Sequence, residues 1–403
     1  MRRPFRYVWV GLGALVVALA VLLAVSAALY SPQYVLRCIA NGESKVSDYR
    51  VFPSRVIAKS SRPYRYAAAP GPAIGQMEVA YTYRHSVQTD TLEHMLESNG
   101  TTSFILIRDD AVAYERYFNG YDWDSVCTSF SSVKSLDSLM VGMAIDDGFI
   151  RSEEQAISEY LPEFKDTPFV DITIRQLLMM RSRIRYEEGG AWFGDDAKTY
   201  YYPDLRSLAL EHLKVDEGYT GKFHYNNYHP LLLGMILERS TGRSVAQYFQ
   251  ERIWDKVGAE HEASWSMDGE ETGFEKMESG LNFLAIDYAK IGSMLLHRGQ
   301  WNGNAVVSTQ WLDRSLVAPQ PLSAYDIDSP FLAGVEVGYQ YMWYSIDDGK
   351  GGHDFFAAGK YGQYLYVSPA HQAVIVRCGK SAGSVDWWPE VLRQVAAAAQ
   401  PGG

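Results

Sequence analysis

The stretch Ser129-Phe130-Ser131-Ser132-Val133-Lys134-Ser135 sets four serines around one lysine. Only Ser131 has a lysine three positions on; the residue three after Ser129 is Ser132, and three after Ser132 comes Ser135. Val133, Leu136, Met140, Met143 and Ala144 recur at spacings of three and four, which predicts a helix with Ser131 in its first turn and Lys134 one turn later. Residues three apart share a helix face, and the helix start adds free N–H groups and the positive end of the dipole. A serine hydroxyl is a weak nucleophile until a neighbour takes its proton, which a lysine does once burial or nearby positive charge depresses its pKa. Four residues alone equally describe a capped helix carrying a solvated lysine.

A second element lies downstream. Phe223-His224-Tyr225-Asn226-Asn227-Tyr228 precedes an apolar helical run through Leu231, Leu232, Ile236 and Leu237. A phenol held against a lysine ammonium can serve as general acid or base, and an amide at Asn227 can hold the lysine or a substrate carbonyl.

Around these elements the pattern is that of strands. Phe104 to Arg108, a polar Asp109-Asp110 turn and Val112 to Tyr117 predict a β-hairpin. A second β-rich block covers Tyr339 to Ile346, Gln363 to Ser368 and Ala373 to Cys378, and Trp387 to Ala399 reads as a terminal amphipathic helix. Strands at both ends with helices between them predict an α/β (α+β) fold: one antiparallel sheet flanked by helices, with an inserted all-helical region.

Taken in order, these residues resemble the serine β-lactamase and penicillin-binding-protein superfamily. The branch is that of class C β-lactamases, D-alanyl-D-alanine carboxypeptidases, esterases and 6-aminohexanoate-dimer hydrolases. Ser131 to Lys134 is similar to its Ser-x-x-Lys motif and Tyr225 to Asn227 to its Tyr-x-Asn motif. Asp171 to Leu178 resembles its helix-opening VTIRDLL segment; Gly273 to Leu281 and Gly359 to Tyr364 are similar to segments of the nylon-oligomer hydrolase and esterase group. The resemblance implies that Ser131 attacks an ester or amide carbonyl, that Lys134 and Tyr225 shuttle protons, and that water releases an acyl-serine. It also implies supporting roles for Asn227, Gly359 and Lys360, with an oxyanion hole built from the N–H of Ser131 and one near Gly359 and Lys360.

Two places depart from the family. Its Lys-Thr-Gly or His-Thr-Gly falls at Ala357-Ala358-Gly359, where no cation remains. That argues against efficient β-lactam recognition, and strand alternation predicts that Lys360 points away from the site. Arg183 stands where relatives carry a glycine, so it either reshapes a loop or selects an anionic substrate. The alternatives to an esterase or amidase are a β-lactamase or D-alanyl-D-alanine carboxypeptidase and, outside enzymes, a membrane-tethered binding or scaffold protein with little turnover.

The bulk properties bound the rest. A chain of 403 residues with net charge −11 has no general attraction for nucleic acid, and the nine histidines form no metal-binding pattern, so no cofactor or metal is expected. Cys38, Cys127 and Cys378 are too few for a disulfide framework, although one pair could form outside the cell. Arg2, Arg3 and Arg6 precede an uncharged run from Tyr7 to about Gln33, and roughly 20 apolar residues cross a bilayer core as a helix. The expected organisation is a transmembrane anchor over 1–33, a linker or wrapped arm over 34–89 and a hydrolase domain over 90–400 on the periplasmic or extracellular side. The aromatic stretch Trp192, Phe193, Tyr200, Tyr201 and Tyr202 either lines a pocket or packs the helical region.

Overall fold

The computed structural model describes residues 15–17, 20–21, 24–26, 28–69, 73–189, 191–318 and 337–398. Among them is helix α1 (Pro32–Asn41), opened by Ser31, whose hydroxyl accepts from the Tyr34 N–H at 3.0 Å. The chain then adds β1 (Ser54–Ile57), β2 (Ala67–Ala68), the hairpin β3 (Glu78–Tyr83) and β4 (Ser86–Thr91), and α2 (Leu92–Ser98). The predicted hairpin is β5 (Thr101–Arg108) and β6 (Ala111–Tyr117), turned at Asp109 and Asp110 with φ of 46° and 58°. After β7 (Cys127–Thr128) comes the helix read from the opening stretch, α3 (Lys134–Asp146).

A largely helical region follows: α4 (Ile174–Leu178), α5 (Asp195–Tyr201), α6 (Leu205–Glu211), α7 (Tyr228–Thr241) and α8 (Val245–Phe249). The chain returns through β8 (Ala263–Ser266), β9 (Leu281–Phe283), α9 (Ala285–Leu296), β10 (Gln300–Trp301), β11 (Asn304–Ala305) and α10 (Thr309–Ser315). It ends in β12 (Gly338–Gln340), β13 (Trp343–Asp347), β14 (His353–Gly359), β15 (Gln363–Ser368), β16 (Ala373–Gly379) and α11 (Trp388–Ala398).

The main sheet has eight strands in the order β12-β13-β14-β15-β16-β5-β6-β2. It joins the two ends of the chain at β16 and β5, where Val374 faces Ile107 and Val376 faces Ile105 in antiparallel register. Both strands are buried throughout because helices cover both faces. On one face Gly292 of α9 lies so close to Val374 that an added Cβ would meet its side chain at 2.3 Å. On the other, Arg377 stacks under Trp388 of α11, 3.6 Å from the ring centroid.

A smaller sheet, β1-β8-β9-β7, positions the site. Its antiparallel pairing of Cys127 with Phe283 and Thr128 with Asn282 sets the segment after β7 beside the segment before β9. The arm is part of this framework, since β1 pairs with β8 and β2 lies parallel to β6.

Residues 1–14, 18–19, 22–23 and 27 of the expected 1–33 anchor lie outside the described residues, and the rest of 15–29 is helical. Among the described residues no helix is long and apolar enough to cross a membrane. Cys38, Cys127 and Cys378 carry free thiols.

Candidate active site

The turn that carries Ser131 is under strain. Phe130 sits just before it with φ of 44°, a left-handed conformation that costs a non-glycine residue about 1–3 kcal/mol. Its buried ring packs edge-on against Tyr361 at 5.4 Å, so the strained backbone is pinned to the β14–β15 turn. A 3₁₀ turn over Phe130–Val133 leads into α3, and Lys134 is its first α-helical residue.

Lys134 is not solvated. It is 2 % exposed, and its ammonium donates to Ser131 Oγ at 2.8 Å and to the Glu278 carbonyl at 3.1 Å. Its Nζ also lies 4.9 Å from the centre of the Tyr225 ring. Among the described residues the lysine therefore meets Tyr225 through the ring face, with no hydrogen bond to its hydroxyl. The remaining serines have structural partners: Ser129 donates to Ser279 O, Ser132 to Ser129 O and Ser135 to Met342 O.

Asn227 lines the larger cavity beside Ser131 and Tyr225, and no hydrogen bond links it to Lys134 among the described residues. Its amide N–H donates to the Tyr186 hydroxyl at 2.7 Å, and its Oδ1 has no partner. Gly359 ends β14 against the Ser131 turn; a Cβ there would lie 2.4 Å from Ser129 O and 3.1 Å from Ser132 N, so only glycine permits this approach. The strand stops at Gly359, and Tyr361 and Gly362 turn back with φ of 64° and 76°. Strand alternation therefore does not govern Lys360. Contrary to expectation, its side chain lines the cavity, with its ammonium on Glu43 Oε1 at 2.9 Å and Ser44 Oγ at 3.0 Å.

Ser131 and Tyr225 stand between two cavities, of about 830 Å³ and about 310 Å³. The larger is walled by the arm at Cys38, Glu43 and Ser44 and by Trp192, Tyr200 and Tyr201 of the aromatic stretch. Phe193 is exposed, and Tyr202 is packed beneath. The smaller is lined by Ala358, Gly359 and Tyr361. Arg183 lines neither: it bonds Asp171 and Pro168 O and sits 3.4 Å from Glu217, contacts that tie together its own loop.

Sequence reasoning missed the acidic wall of the larger cavity, formed by Glu43, Glu188, Asp196 and Glu278. Glu278 is 2 % exposed; Oε1 accepts from Ser279 and faces Lys276 at 3.2 Å, whereas Oε2 has no partner. Lys276 is sandwiched by the Phe52 and Tyr200 rings at 4.5 and 4.1 Å, and burial pulls its ammonium below the usual lysine range. Desolvation, then Asp196, holds the Glu188 carboxyl above the usual range. Glu278 lies inside the quoted Gly273 to Leu281 segment, so the signal was present without a way to tell which residue faced the site.

Fold and site together define a serine hydrolase, with Ser131 Oγ within hydrogen-bond reach of the buried Lys134. The protein family described as Beta-lactamase matches residues 90–399, and the chain belongs to it. It is 29% identical over 317 residues to the 6-aminohexanoate-dimer hydrolase of Paenarthrobacter ureafaciens, covering 74% of this chain and 76% of that one. A Bacillus anthracis structure assigned as a 6-aminohexanoate-dimer hydrolase superposes with a TM-score of 0.74 at 25% identity, covering 88% of this chain and 92% of that one. A class C β-lactamase shares the fold at a TM-score of 0.58 and 14% identity, over 77% of this chain and 95% of its own.

Proposed function

We propose that the chain is a membrane-anchored, extracytoplasmic serine hydrolase that cleaves an ester or amide through an acyl-serine. The contact that carries this reading is Lys134 Nζ at 2.8 Å from Ser131 Oγ, on a lysine withdrawn from water. With the proton on the serine, the same contact lets Lys134 take it as base. Ser131 Oγ bonds to the carbonyl carbon, and its proton passes through Lys134 and Tyr225 to the leaving amine or alcohol as the scissile bond breaks. Water then attacks the acyl-serine, returns a proton to Ser131 and frees the acid. The N–H groups of Ser131 and Lys360 receive the oxyanion, which fits the tight approach of Gly359 to the Ser129–Ser132 turn.

Two cavities meeting at Ser131 suit the acyl and leaving sides of one substrate. The four carboxylates of the larger cavity favour a substrate whose polar end donates hydrogen bonds or carries positive charge. Ala357 in place of the family's cation disfavours β-lactams. The anchor reading rests on the arginines and the uncharged run to about Gln33. A fluorophosphonate probe is expected to label the wild-type chain and not Ser131→Ala, with nitrocefin left intact by both. Labelling that persists in the variant sinks the assignment.

A further inference from the structure

The N-terminal segment does not leave the domain at a neutral place on its surface. Ser26 is 1 % exposed, whereas Leu15, Val16, Val17, Val21, Val25 and Leu29 on the same segment are 49–67 % exposed. The Ser26 hydroxyl accepts from the Trp192 indole at 3.1 Å, and the Trp192 carbonyl accepts from the Tyr34 hydroxyl at 2.6 Å. Tyr202 donates to the Tyr30 carbonyl at 2.5 Å, and the Tyr30 ring lies 6.2 Å from Phe193. Ser26, Tyr30 and Tyr34 are thus seated on residues 192–202. That same segment, through Trp192, Asp196, Ala197, Tyr200 and Tyr201, walls the cavity that holds Ser131.

Helix α1 continues the pattern. Tyr34 and Val35 are buried, and Arg37 reaches inward to the Asp268 and Tyr201 carbonyls at 2.6 and 3.3 Å. Leu36 and Ile39, three apart and so on one side, are 65 % and 53 % exposed, and Phe193 beside the seat is 42 % exposed. The outward apolar side chains of α1 directly extend an uncharged run that is long enough to span a bilayer and follows three arginines. A helix with one apolar face next to such a run is suited to lie in the headgroup region. The helix itself is only about 10 Å across, and its inner side forms cavity wall, through Cys38.

We infer that α1 lies in the membrane surface and that the larger cavity takes its substrate from the bilayer, as an amphiphilic ester or amide whose polar end meets the carboxylates. This rests on the hydrolase and anchor readings proposed above. The experiment reconstitutes the full chain in phosphatidylcholine vesicles. It compares 4-nitrophenyl acetate, supplied in water, with 4-nitrophenyl palmitate, dissolved in the vesicles. The variant carries Leu36→Asp and Ile39→Asp; a milder pair, Leu36→Ser and Ile39→Ser, guards against misfolding, and retained acetate turnover reports the fold. The expected result is palmitate turnover lowered about tenfold, with acetate kcat/KM within about twofold, because two apolar side chains are withdrawn from the interface. Equal effects on both substrates, or none on palmitate, overturn the inference while the wild type still floats with vesicles. A wild type that fails to float overturns the anchor reading, and one that fails on acetate overturns the hydrolase reading. A variant that changes only from dimer to monomer shows that a second copy covers this face and also overturns the inference.

Discussion

Asp137 stands one helical turn after Lys134, fully buried, with neither carboxylate oxygen partnered. Burial first, and Glu278 after it, push its carboxyl well above the usual range, against the pull of Lys134, which favours the protonated form in the folded chain. A carboxyl raised on folding stabilises least where the unfolded chain is ionised: stability is whole below about pH 4 and falls as pH rises. Asp137→Asn is therefore expected to raise the melting temperature at pH 7, with the gain vanishing as the pH approaches 4. A gain that is absent at pH 7, in thermal melts across that range, contradicts a neutral Asp137. At this scale the sequence was legible where partners are local. Ser131 and Lys134 meet because three residues make one turn, whereas the carboxylates of Glu43, Glu188 and Glu278 come together from three distant segments, and no spacing rule reaches across them.

Among the elements, β14 and the turn that ends it decide the geometry beside Ser131. Gly359→Ala would drive a methyl group into Ser129 O, backbone against backbone, so the strand must retreat from Ser131. The expected result is a loss of kcat/KM of about 100-fold, the scale of one lost oxyanion donor, with about 1–3 kcal/mol of overpacking. Unchanged acetate hydrolysis in a folded Gly359→Ala chain contradicts the placement of the oxyanion hole. Buried Arg377 holds the turn from below, donating to the Tyr361 and Gly362 carbonyls at 3.1 and 2.6 Å and to those of Asn99 and Ser381. Sequence reasoning found the hairpin at Asp109-Asp110 because the turn residues announce it. It read Tyr339 to Ile346 as one run of a longer β-rich block, yet the chain folds back within it, at Tyr341 and Met342 with φ of 44° and 64°. Neither residue type signals a left-handed turn; packing imposes it. The misjudged direction of Lys360 has a similar origin, because the end of a strand is fixed by what it abuts.

On the scale of the whole molecule, the arm belongs to the hydrolase. Its composition shows no periodicity because its short pieces each answer to a different neighbour: α1 to α5, β1 to β8, Ser44 to Lys360, and Asp48 to the Tyr200 hydroxyl at 3.0 Å. A chain that begins at residue 90, where the family match starts, would lose a wall of the larger cavity and leave β8 without its edge partner. Such a chain is expected to melt well below the full-length protein, or to remain insoluble, and to hydrolyse acetate poorly. A truncated chain with full stability and rate refutes the arm's role.

The meeting of β5 with β16 has a consequence for how the protein is made. Thr101–Arg108, buried along its whole length, leaves the ribosome well before β16, the strand that covers one of its edges. Until then Phe104, Ile105, Leu106 and Ile107 form an apolar β-segment able to pair with other unfinished chains, the circumstance in which aggregation competes with folding. The same delay leaves the Ser131 turn without its neighbour during synthesis, since Gly359 packs against it only once β14 has emerged. Yield in the cell should therefore depend on chaperones that guard the young chain, more than on the stability of the finished one.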